Sequence, residues 1–181
     1  MRILGVCGSL RTGSTNLLAL RAAGELLPAG VTLRYDAALL ARLPPFNPDL
    51  DLEGGAPPPE VASFRAQLRA ADAVLLSSPE YAHGVPGALK NALDWLVSSG
   101  ELVEKPTAVV VAGAGGGLHA RDDLRRTLGV IGARLVAVTS LVLGRSQLTA
   151  DGRLADHQAV EALRGTVAAL VEAVAVTRRE G

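Results

Sequence analysis

A doubly wound α/β domain, five parallel strands alternating with five helices, is what this 181-residue sequence predicts. Three observations carry that prediction. Short apolar runs recur along the chain, and each is followed by a segment whose apolar residues have helical spacing. The runs are continuously apolar rather than alternating, as strands buried on both faces of a sheet must be. The three unusual loops of the chain follow the first, third and fourth runs, where the carboxyl ends of parallel strands share one edge.

Arg2 to Cys7 (RILGVC) reads as the first strand and Gly8 to Gly13 as the loop behind it. Ser14 to Leu27 is predicted helical, with Leu17, Leu18, Leu20 and Leu27 forming an apolar stripe. Val31 to Tyr35 is the second strand. Leu43 to Pro59 holds six of the ten prolines and two glycines, so it is expected to be a surface loop. Glu60 to Ala70 is the second helix, Ala73 to Ser77 the third strand, and Ser78 to Gly84 a loop. Val85 to Ser98 reads as a helix that tolerates Pro86 in its first turn. Thr107 to Ala112 is a strand ending in the glycine run Gly113 to Gly117, and Leu118 to Ile131 is the fourth helix. The last strand lies within Arg134 to Leu143. A carboxy-terminal helix from Ala155 to Val176 carries Val160, Leu163, Val167, Leu170, Val171 and Val174 at helical spacing. No repeat or linker composition interrupts the pattern, so residues 1–181 are expected to form one domain. Strand order 2-1-3-4-5 is expected as the commoner arrangement of five parallel strands, not as something the residues dictate.

Composition narrows the function. Eighteen Lys plus Arg balance eighteen Asp plus Glu, which argues against nucleic acid or an anionic membrane as the main partner. With 49% hydrophobic residues but only five aromatics, the core must be built from Leu, Val and Ala. No apolar run approaches the roughly 18 residues that span a bilayer. The single cysteine, Cys7, excludes an internal disulfide and a multi-thiolate metal site, and fits a reducing, cytoplasmic compartment.

The first loop, Gly8 to Asn16, offers hydroxyls at Ser9, Thr12, Ser14 and Thr15, an amide at Asn16, a guanidinium at Arg11 and the start of a helix. Free backbone N–H groups and the helix dipole make such a loop an anion site, and neutral donors with one cation suit a phosphate monoester. Capping the helix would need only one of these hydroxyls. Ser78 to Gly87 carries two prolines and two glycines with Glu80, Tyr81 and His83 on it, a stiff platform for a planar heterocycle. Gly113 to Gly117 would let a ligand approach the backbone closely, and a tight turn explains only some of its glycines.

Sharper motifs fail. Gly8 and Gly13 have the spacing of a nucleoside-triphosphate loop, but Ser14 stands where its lysine belongs. The dinucleotide fingerprint G-x-G-x-x-G is absent from this loop. Three residues separate Cys7 from Arg11, whereas the low-molecular-weight tyrosine phosphatase loop needs about five, so Cys7 reads as a small buried hydrophobe.

G-S-L-R-x-G-S-x-N at Gly8 to Asn16 and S-P-E-Y-x-H-G-V-P-G-x-L-K-N-A-L-D-W at Ser78 to Trp95 resemble the NAD(P)H-dependent FMN reductases of flavodoxin-like fold, which include bacterial quinone, chromate and azo-dye reductases. The resemblance implies a flavodoxin-like three-layer sandwich. It also implies that Ser9, Arg11, Ser14 and Asn16 hold the FMN phosphate, with a backbone contact from Thr15. Pro79, Glu80, Tyr81 and Ala82 would line the isoalloxazine, His83 would stand at its edge, and Gly113, Ala114 and Gly115 would border its other side. Family members usually carry asparagine in place of Ala82, and many carry arginine near His119.

Ping-pong chemistry is implied as well: NADPH or NADH gives a hydride to flavin N5, and a small-molecule acceptor such as a quinone, free flavin, azo compound or chromate then takes the electrons. No protein group is expected to act as catalytic acid or base, and no metal ligands are expected. His83 and His119 are open between substrate contact and plain loop positions, and His157 reads as a solvated residue. Lys90, Asn91 and Asp94 read as structural or subunit-interface groups. Relatives usually form homodimers or homotetramers. Leu89, Leu93 and Trp95 permit such an assembly, with core packing as the alternative. Two other readings stand beside the enzyme: a flavodoxin-type electron carrier, disfavoured by the zero net charge, and an FMN-binding module without turnover.

Overall fold

Strands β1 (Arg2–Cys7), β2 (Thr32–Tyr35), β3 (Ala73–Ser78), β4 (Pro106–Gly113) and β5 (Arg134–Val142) form one parallel sheet in the order 2-1-3-4-5. They are seen in a computed structural model that describes residues 1–143 and 153–180. Five helices accompany them: α1 (Thr15–Glu25), α2 (Pro59–Ala70), α3 (Gly87–Asp94), α4 (Leu118–Ile131) and α5 (His157–Glu180). The expected architecture and strand order are both found.

Alternate residues of each inner strand feed two separate cores, which is why the strand sequences are apolar throughout. Leu4 and Val6 of β1 join Val74 and Leu76 of β3 against α2, α3 and α4, where Phe64, Leu68, Leu93, Trp95 and Leu124 are buried. Ile3 and Cys7 join Leu75, Ala108 and Val110 against α1 and α5, where Leu20, Leu163 and Leu170 are buried. Leu89, Leu93 and Trp95 are therefore core residues.

Element ends differ from expectation for identifiable reasons. Ser14 precedes α1 and caps it, its hydroxyl accepting the Asn16 N–H at 3.1 Å. Helix α3 ends at Asp94 rather than Ser98: the Leu96 and Val97 N–H groups bond only three residues back, to Leu93 and Asp94, and the Trp95 carbonyl accepts from the Arg65 guanidinium (Nε at 3.1 Å). Buried Arg65 also pairs with Asp51 at 2.8 Å. Helix α5 starts at His157, and the Asp156 carboxylate caps it by accepting the Ala159 N–H at 2.8 Å.

The proline-rich stretch is mostly exposed, as expected, but it is anchored. Asn91 accepts the Phe46 N–H at 2.7 Å and donates to the Pro44 carbonyl at 2.9 Å, and the Trp95 indole donates to that same carbonyl at 2.9 Å. Short 3-10 turns at Leu40–Arg42 and Pro48–Leu50 interrupt the irregular chain. Lys90 and Asp94 form an i,i+4 pair on the α3 surface at 2.6 Å. The motif residues of α3 thus hold their own helix and the adjoining loop.

Candidate functional site

The carboxyl ends of β1, β3 and β4 open onto a cavity of about 360 Å³, at the switch point where strand order reverses on either side of β1. Ser9, Arg11, Ser14, Thr15 and Asn16 line it from the first loop, Pro79, Glu80 and Tyr81 from the second, and Gly113, Ala114 and Gly115 from the third. The residues singled out from sequence converge there with two exceptions, Ala82 and His83. Val111, Ala112, Gly117 and Leu143 also line it. The rule that ligands sit beyond strand ends would have found three of these, since they lie at or beside the ends of β4 and β5.

On the first loop, Gly8 donates its N–H to the Ser77 carbonyl at 2.7 Å. A Cβ on Gly8 would lie 3.3 Å from that oxygen and 3.0 Å from a Leu89 methyl, so glycine lets the loop leave the sheet without displacing these neighbours. Ser9 and Ser14 are buried at the cavity wall, while Arg11 is exposed. Among the described residues no carboxylate pairs with the Arg11 guanidinium. One cation, three hydroxyls and the N-terminus of α1 thus face one end of the cavity, an arrangement suited to an anion.

Asn16 has a different task from the one its motif suggests. Its side chain is buried and donates to the Ala112 carbonyl at 3.0 Å while accepting from Ser77 Oγ at 3.0 Å. The residue ties α1 to β3 and β4 and so places the hydroxyls around it. Cys7 is equally structural: burial pushes its thiol pKa up, against weaker stabilising contacts from Ser9 and Ser14, so a nucleophilic thiolate is disfavoured.

On the second loop, Tyr81 and Gly84 exchange both backbone hydrogen bonds, at 3.1 and 3.0 Å, around Ala82 (φ 50°) and His83 (φ 59°). Two successive positive φ values within a closed hairpin turn identify the type I′ geometry. The turn carries Ala82 and His83 out of the cavity wall and leaves Tyr81 half-exposed at the mouth, its hydroxyl 3.4 Å from Ser9 Oγ. An asparagine is favoured at the first central position of such a turn for backbone reasons alone. Ala82→Asn is therefore expected to stabilise the protein by about 0.5–1 kcal/mol, measured by urea unfolding.

Glu80 reaches across to the third loop, where its Oε2 accepts the Ala120 N–H at 2.9 Å and caps α4, whose preceding residue Gly117 has no side chain to do so. The glycines of this loop divide into two kinds. Gly116 (φ 74°) and Gly117 (φ 63°) are required by their backbone. Gly113 and Gly115 are not: neither has a positive φ, and a Cβ on either would meet none of the described residues within 4 Å. Among the described residues nothing accounts for the missing side chains, and both residues border the cavity.

The family described as NADPH-dependent FMN reductase matches residues 1–147. The chain is similar to an NAD(P)H-dependent FMN reductase of Pseudomonas aeruginosa, 37% identical over 176 residues that cover 94% of this chain and 93% of the relative. It is 30% identical to a quinone reductase of Escherichia coli over 179 residues, covering 95% and 94% of the two chains. Among solved structures it superposes on FerB, a flavoenzyme NAD(P)H:(acceptor) oxidoreductase of Paracoccus denitrificans, with a TM-score of 0.83, 27% identity and 96% of each chain covered.

Proposed function

The chain belongs to the NADPH-dependent FMN reductase family, and on that premise we propose how its residues divide the work of an NAD(P)H-dependent FMN oxidoreductase. When bound, FMN would supply the redox chemistry between NADPH or NADH and a small acceptor. Everything else falls to the protein. The hydroxyls of Ser9, Ser14 and Thr15, the Arg11 guanidinium and the N-terminus of α1 hold the phosphate. Asn16 positions them from the sheet. Pro79, Glu80 and Tyr81 border the isoalloxazine on one side and Gly113, Ala114 and Gly115 on the other, while Ala82 and His83 form the turn that presents Tyr81.

Gly113 and Gly115 carry this reading, because a flat ligand lying against them is what would forbid a side chain there. Gly115→Ala is expected to weaken FMN binding by about 1–2 kcal/mol through overlap with the ring. The melting temperature of the FMN-free protein should not move, since the added Cβ meets none of the described residues within 4 Å. A matched loss of melting temperature, or unchanged FMN affinity, would remove the glycines from the ring site.

Quinone, free flavin, azo compound and chromate are all acceptors that an open flavin face could serve. The half-exposed Tyr81 at the mouth is consistent with such openness. We assign the protein to the cytoplasm on its buried free thiol, which suits a reducing compartment, and expect a homodimer or homotetramer. Exposed Phe46, Leu50, Leu52 and Val97, on the proline-rich segment and just past α3, support self-association.

A further inference from the structure

Outside the cavity, the turn after β3 and the first turn of α4 bring Glu80, His83 and His119 together, with one ligating atom of each within 4.8 Å of the others. The imidazoles meet edge to face, with ring centroids 4.6 Å apart, and His83 Nδ1 lies 3.6 Å from Glu80 Oε1. We propose that these three side chains form a binding site for a divalent transition-metal ion at the rim of the candidate flavin cavity. The proposal is separate from the flavin assignment.

Two imidazoles and one carboxylate are the donor set preferred by borderline ions such as Zn2+, Ni2+ and Cu2+, and a poor one for Mg2+ or Ca2+. Zinc bonds of about 2.0–2.2 Å would bring the donors to roughly 3.3 Å from one another. The present separations, within 4.8 Å, must close, and the His83 side chain is free to turn, being 80% exposed. The carboxylate is already oriented, since the other Glu80 oxygen accepts the Ala120 N–H, as outer-shell bonds orient metal ligands. Exposure leaves the remaining coordination positions to water.

Asp122, Asp123, Arg125 and Arg126 share the cleft with the two histidines. Arg126 pairs with Asp123 and Arg121 with Asp122, so much of the positive charge nearby is already neutralised. Glu80 also lines the cavity, so a bound ion would tie the loop after β3 to α4 at the cavity mouth. Its three donors come from one loop and the start of one helix far apart in sequence, and no motif spacing announces them.

The test is calorimetric titration of Zn2+ into chelator-treated protein, run with and without added FMN so that failure of flavin binding would leave the result standing. One ion per chain is expected, bound in the micromolar range, with a rise in melting temperature on saturation. His83→Asn, His119→Gln and Glu80→Gln should each weaken binding by about tenfold or more. The glutamine at position 80 keeps an acceptor for the Ala120 N–H, so it separates the ligand role from the cap. His157→Gln, the third histidine of the chain, should change nothing. Absence of micromolar binding, or binding that survives the first three substitutions, or binding lost with His157→Gln, would overturn the proposal.

Discussion

Replacing Gly117 by alanine is expected to destabilise the FMN-free protein by about 2–4 kcal/mol, from overpacking and a left-handed backbone together. The residue sits at φ 63° at the head of α4, and a Cβ there would lie 2.1 Å from Val111 Cγ1 and 3.2 Å from Val111 Cβ. Val111 belongs to the buried sheet and cannot retreat as a long surface side chain could. Relief would have to come from moving the glycine loop or the start of α4, and both line or border the cavity. FMN affinity should therefore fall along with the urea midpoint. In the background Val111→Ala, the added cost of the substitution should shrink to the backbone part, about 1–2 kcal/mol. Equal costs in both backgrounds would mean that the close approach to Val111 is not what demands glycine.

Arg11→Ala should leave stability nearly unchanged, since the guanidinium is exposed, yet weaken FMN binding by about 1.5–3 kcal/mol, the range of a charge-assisted hydrogen bond. That corresponds to roughly 10- to 150-fold in dissociation constant. Riboflavin, which lacks the phosphate, provides the control: its affinity should be the same for both proteins. Arg11→Lys should recover only part of the loss, because an ammonium cannot form the planar fork. Unchanged FMN affinity would take Arg11 out of the phosphate site. An equal loss for riboflavin would place its effect on the loop instead.

The sheet was legible because its inner strands are apolar on both faces, and each loop behind them announced itself by composition. The ends of α4 agree with expectation for a similar reason: Gly117 and Gly132 bracket it, both with positive φ. Where sequence reading fell short, a distant partner decided the outcome. Helix α3 stops early, its chain tightening to bonds three residues back at Leu96 and Val97, while Arg65, from another helix, takes the Trp95 carbonyl. Asn16 reads as a ligand donor beside three hydroxyls, but its amide answers to Ala112 and Ser77. Glu80 reads as a loop acid, and its role as the cap of α4 depends on an N–H in the first turn of that later helix. Ala82 and His83 lack the Asn-Gly signature of the turn they form, so nothing local revealed that the chain would carry them away from the cavity. In each case the missing information was a pairing between segments, which periodicity and composition do not contain.

The central claim, that this cavity holds FMN and lets NADPH or NADH reduce it, is tested most directly by one anaerobic experiment. The protein is loaded with FMN and desalted, and its visible spectrum is recorded before and after adding each nucleotide. The account predicts that flavin remains bound, bleaches promptly with at least one of the two, and regains its colour when a quinone is supplied. Loss of flavin on desalting, or bound flavin that stays oxidised with both nucleotides, would contradict it, the second result pointing instead to a carrier reduced by another protein.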